Sequence, residues 1–155
     1  MPFTVLFSPA LNHVLPYYNQ HKVNLPTDVQ VKLEVGEPFV HTHPQLGNAL
    51  LKKDFAEESV KYHIPFEEEV KIDCPVRIIT SLNDELNDTK SLEKLTNSLS
   101  SEDVDLIYRK NSDHRMQSPH DFELFLITLD RMIKDNPVKG GEEDKVISSD
   151  HIMAN

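Results

Sequence analysis

Two short apolar runs stand either side of a helical stretch: residues 76–80 (Val-Arg-Ile-Ile-Thr) and 104–108 (Val-Asp-Leu-Ile-Tyr). Runs of this length without clean polar alternation read as strands covered on both faces, the habit of parallel sheets. Between them Leu92, Leu95 and Leu99 recur at i, i+3 and i+7, the apolar stripe of a helix laid on a sheet. Asp88 or Thr89 is its candidate cap, and Ser100-Ser101 stop it. A strand–helix–strand unit of this length predicts a right-handed parallel crossover. That unit fixes the fold class as α/β.

The remaining elements fit round it. Residues 3–7 (Phe-Thr-Val-Leu-Phe) predict a third core strand, closed by Ser8-Pro9. Ser118 caps the clearest helix, Pro119 takes its first position and Asp121 closes a capping box. Phe122, Phe125, Leu126, Leu129, Met132 and Ile133 form its expected buried face, and Asn136-Pro137 ends it. Residues 12–72 read as an excursion between two strands of one sheet, either a lid over the site or a plain surface connection with one or two helices. Within it residues 12–20 are weakly patterned. Leu25-Pro26-Thr27-Asp28 starts a helix capped by Asn24 or Thr27, with Val29, Leu33 and Val35 as its stripe. Gly36-Glu37-Pro38 ends that helix, His41-Thr42-His43-Pro44 is a loop, and residues 54–62 are helical. Residues 65–73, with Glu67-Glu68-Glu69, read as a solvated approach to the next strand. Residues 1–135 thus form one domain. Residues 136–155 read as a disordered polar tail.

A chain of 155 residues can bury a real core. Its net charge of −10 argues against nucleic-acid binding, which needs a basic face. The single cysteine, Cys74, excludes an intrachain disulfide and reads as a small buried hydrophobe. No apolar run reaches the ~18 residues of a membrane span. His41-x-His43, with His13, His21 and His63 nearby, lacks a carboxylate–histidine motif at helical spacing. These histidines read as surface residues rather than metal ligands.

Chemistry points to the ends of the two strands. Asp84 follows the first and His114 the second, a whole strand–helix–strand unit apart. Carboxyl ends of neighbouring parallel strands lie side by side, so groups just beyond them converge. Asp84 there accepts a hydrogen bond from one ring nitrogen of His114, which leaves the other to take a proton from a nucleophile. The same residue types also suit a turn aspartate and a solvated loop histidine.

The wording is more specific than the spacing. Cys-Pro-Val-Arg-Ile-Ile-Thr-Ser-Leu-Asn-Asp (residues 74–84) resembles the α/β-hydrolase segment in which a Pro-led strand runs to His-Gly-x-x-Asp. Arg-Lys-Asn-Ser-Asp-His-Arg-Met (residues 109–116) resembles the run bearing the catalytic histidine in the family's mitochondrial acyl-protein thioesterases and acyl-glucuronide esterases. The resemblance spans about residues 3–133, weakly through the excursion and well from Cys74 onward. It implies the C-terminal part of an α/β-hydrolase fold, with the N-terminal strands and nucleophile elbow missing. It implies Asp84 as triad acid and His114 as triad base. Asp113 is not the acid, because adjacent loop side chains point apart.

Three departures stand out. Thr80-Ser81 replaces His-Gly, and Asn87-Asp88 replaces Val-Pro, which leaves Glu85 and Asp88 as alternatives to Asp84. No Gly-x-Ser-x-Gly is present: the only glycines are Gly36, Gly47, Gly140 and Gly141. The implied activity is hydrolysis of acyl esters or thioesters, on an acylated protein or small acyl ester, with no metal or organic cofactor and a mitochondrial location. The chain alone, lacking nucleophile and oxyanion hole, is expected to be inactive. The alternative is a non-catalytic α/β fragment acting as an interaction protein.

Overall fold

The computed structural model describes residues 2–43, 47–86 and 88–137. The expected disordered tail lies almost wholly outside them. In chain order the elements are β1 (Thr4–Phe7), α1 (Val14–Lys22), α2 (Thr27–Glu34), β2 (Phe39–His43), β3 (Gly47–Leu51) and α3 (Lys53–Glu58). A 3-10 turn (Ser59–Tyr62) follows, then β4 (Val76–Ser81), α4 (Thr89–Ser98), β5 (Val104–Arg109) and α5 (Pro119–Asp135).

The main sheet is parallel throughout, in the order β1-β4-β5. Leu6 registers with Ile78, and Ile78 with Leu106. β4 is the middle strand, and Val76, Ile78, Ile79, Thr80 and Ser81 are all buried, which explains its unalternating sequence. Alternate side chains serve opposite faces. Val76 and Ile78 pack with Leu92, Leu95 and Leu99 of α4. Phe7, in register with Ile79, meets Phe122 and Phe125 of α5 at ring-centroid distances of 6.4 and 5.0 Å. Each fully buried leucine or isoleucine contributes roughly 1.5–3 kcal/mol.

Capping follows the sequence in α4 and α5. The Asp88 carboxylate accepts from the Ser91 amide, and Ser118 and Asp121 complete the capping box. It does not in α2, where Pro26 is the N-cap residue and supplies no side-chain bond. Thr27 is the first helical residue, and the Asn24 amide turns back to the Gln20 carbonyl. Val35 lies past the end of α2 and is exposed.

The excursion has its own small core of Tyr18, Leu33, Leu51 and Ala56. Residues 12–20, weakly patterned in sequence, contain most of α1. The expected loop at His41-Thr42-His43 is instead strand β2, antiparallel to β3 with Phe39 opposite Leu51. Phe39, Val40 and Thr42 favour a pleated strand, and Gly47 takes the positive φ of 73° at the start of β3. Its antiparallel partner outweighs the turn signal of the His and Pro residues.

The acidic approach is exposed at Glu67–Glu69 as expected, yet it is anchored. Val70 forms a parallel bridge with Leu99, its amide donating to the Ser98 carbonyl at 2.7 Å.

α5 departs most from expectation. Met132 is buried, but Phe122, Leu126 and Ile133 are 50, 59 and 54% exposed. The stripe is wider than its support: among the described residues β1 is an edge strand, paired only with β4, so the sheet ends beneath the helix.

Candidate active site

The site is built where β1, β4 and β5 end together. Ser81 closes β4, and its hydroxyl donates to the Ser112 carbonyl while accepting from the Asn83 amide at 3.0 Å. The Asn83 side chain donates to the Lys110 carbonyl at 2.7 Å. These bonds join the turn after β4 to the turn after β5. Asp84 sits in the first turn, Oδ1 accepting from the Leu86 amide at 2.8 Å. Its side chain is 0% exposed.

The second turn is held from the other side. Ser112 donates to Asp121 Oδ2 at 2.7 Å, and Arg109 pairs with Asp121 Oδ1 at 3.2 Å. Burial pushes the Asp121 carboxyl up. Bonds from Ser118 and Ser112 and the Arg109 charge outweigh that, and hold it below the usual carboxylate range. Asp113 accepts from the Arg115 and Met116 amides at 2.9 and 3.2 Å, so it is spent on the loop backbone. Met116 is fully buried at a φ of 46° and pins the loop's far end.

Asp84 and His114 meet. Oδ2 lies 3.0 Å from Nδ1, and the imidazole is 20% exposed. Neither alternative acid is so placed: Asp88 caps α4, and Glu85 is exposed. With Nδ1 turned to the carboxylate, the opposite edge of the ring carries Nε2. His114 also lines a cavity of about 310 Å³ whose walls include Tyr18, Leu50, Leu51, Phe55 and Ala56. An imidazole held by a carboxylate on one side and lining a mostly apolar cavity can pass a proton to or from a bound molecule.

Two further histidine-site residues escape a sequence reading. His13 lines the same cavity rather than the protein surface. Burial lowers its pKa, as does the His114 charge, while Asp84 raises it. It stacks edge-on against Tyr17 at 5.3 Å between centroids. Ser8, which sequence marks only as the end of a strand, has its Oγ 3.2 Å from His114 Nδ1 and donates to the His114 carbonyl. Its place at the carboxyl end of a parallel strand is the signal that was available.

Among solved structures, the chain superposes on the α/β-hydrolase domain-containing protein 10 of mouse with a TM-score of 0.67, covering 86% of this chain and 52% of that one at 23% identity. A "putative hydrolase" of Agrobacterium vitis gives 0.67, covering 84 and 49% at 20% identity. The fold is part of an α/β-hydrolase. No family model matches the chain. In sequence it is 27% identical over 124 residues to human "palmitoyl-protein thioesterase ABHD10, mitochondrial", covering 80% of this chain and 40% of that protein. The mouse protein is 29% identical over 111 residues, covering 70 and 37%. The chain therefore resembles the C-terminal part of ABHD10 and spans about 40% of the curated relatives' length.

Proposed function

We propose that this chain carries the acid and base of a serine hydrolase of acyl esters or thioesters, with Asp84 as the acid and His114 as the base. The observation carrying the reading is the 3.0 Å contact between a fully buried carboxylate and a histidine lining an apolar cavity. In the proposed reaction a serine outside this chain loses its proton to His114 Nε2 and attacks the acyl carbon. His114 then returns the proton to the leaving alcohol or thiol. Asp84 holds the Nδ1–H tautomer and stabilises the imidazolium. The cavity takes the acyl chain, and α1, β3 and α3, which line it, act as a lid.

The substrate class, an acylated protein or small acyl ester that includes acyl glucuronides, rests on the resemblance, as does a mitochondrial location. No step calls on a metal or organic cofactor. Absence of the nucleophile alone costs a triad about 10⁶-fold in turnover, so the chain by itself is inactive. The test is an assay of the purified chain on a p-nitrophenyl acyl ester. Background rates are expected; turnover abolished by His114→Ala overturns the inactivity.

One observation favours the second reading, an interaction protein without catalysis. Among the described residues β1 pairs only with β4, and the half-exposed Phe122 of α5 stacks on its Phe7; unpaired edges beside apolar surface recruit further chain.

A further inference from the structure

Ser8 stands at the centre of the site without a role in the proposed reaction. It follows β1, with a φ of 46°, a left-handed conformation that residues other than glycine rarely adopt. Such backbone persists where surrounding bonds hold it, and it clusters at functional sites. Here the Ser8 amide donates to the Ile79 carbonyl at 2.8 Å, and the hydroxyl makes two contacts with a single residue, His114.

The direction of those two contacts is settled by chemistry. A carbonyl oxygen only accepts, so the Ser8 hydroxyl gives its one proton to the His114 carbonyl. Toward Nδ1 it is then an acceptor. Asp84 Oδ2 accepts on the same nitrogen at 3.0 Å. The Nδ1–H is shared between a carboxylate and a hydroxyl on two different strand ends.

This arrangement does not make Ser8 the nucleophile. A nucleophile must lie on the nitrogen opposite the acid, and its proton must point to that nitrogen. Ser8 lies on the acid's side and points its proton elsewhere. Building on the Asp84–His114 pairing proposed above, we propose that Ser8 is a positioning residue. It clamps His114 at both backbone and ring, fixes the Nδ1–H tautomer jointly with Asp84, and so keeps Nε2 as the base.

The test is nitrogen-15 NMR of the His114 imidazole in the full chain, which reports the tautomer directly and needs no turnover. Ser8→Gly removes the hydroxyl and relaxes the backbone; Ser8→Ala removes it and keeps the strain. Both are expected to raise the Nε2–H to Nδ1–H ratio by about two- to tenfold, the scale of one neutral hydrogen bond. An equal rise in both variants assigns the effect to the hydroxyl. An unchanged ratio in Ser8→Gly overturns the proposal, as does labelling of Ser8 by a fluorophosphonate. Asp84→Asn separates the two claims. If it shifts the ratio and the Ser8 variants do not, the acid–base pair stands and Ser8 falls. If neither shifts it, both fall.

Discussion

The Asn83 side chain donates to the Lys110 carbonyl at 2.7 Å and so binds the turn bearing Asp84 to the turn bearing His114. Two strand ends brought together by a parallel sheet are only neighbours; this cross-link, with Ser81 on Ser112, sets them in register. Asn83→Ala is expected to cost about 1 kcal/mol of stability and to speed water exchange of the His114 Nδ1 proton. Urea unfolding and imidazole NMR read the two effects.

Asp121 is 1% exposed and collects Arg109, Ser112 and Ser118. Asp121→Ala leaves these partly exposed donors to water and is expected to cost about 1–3 kcal/mol, seen as a lower urea midpoint. Because the folded carboxyl titrates below its ordinary value of 3.8, its stabilisation is present above that pH. It is lost as the pH falls through the folded value. An acid titration of Asp121→Asn should lack that loss.

His13 titrates below its ordinary 6.5 in the folded chain. The unfolded state therefore binds the proton first, so stability falls as the pH drops below about 6.5 and levels off under the folded value. His13→Asn is expected to flatten the change between pH 7.5 and 5.5, measured by urea unfolding at each pH.

The two apolar stripes predict opposite outcomes. Leu92→Ala empties a buried site beneath β4 and is expected to cost about 2–5 kcal/mol. Leu126→Glu alters an exposed position on α5 and is expected to change stability by no more than about 0.5 kcal/mol. Parallel thermal melts check both.

The parallel unit was legible because its signals are local. Val76 and Ile78 with the Leu92, Leu95 and Leu99 stripe need little beyond period and length. Ser118-Pro119 with Asp121 announces the start of α5 in the same way. Asp84 and His114 were readable as candidates from their places after two strands, and the family-like wording singled them out. The rest depends on distant pairing. The strand character of His41–His43 comes from β3, and Ser8's place at a strand end marks a candidate without saying that a loop beyond β5 folds back onto it. The α5 stripe was legible as apolar but not as exposed, because exposure is set by the width of the sheet.

The pairing of Asp84 with His114 shows itself in the His114 Nδ1 proton. A proton NMR spectrum of the chain at neutral pH should show that proton far downfield and protected from water, and Asp84→Asn should abolish the shift. An imidazole predominantly in the Nε2–H form, or a downfield signal unchanged in Asp84→Asn, would rule the pairing out.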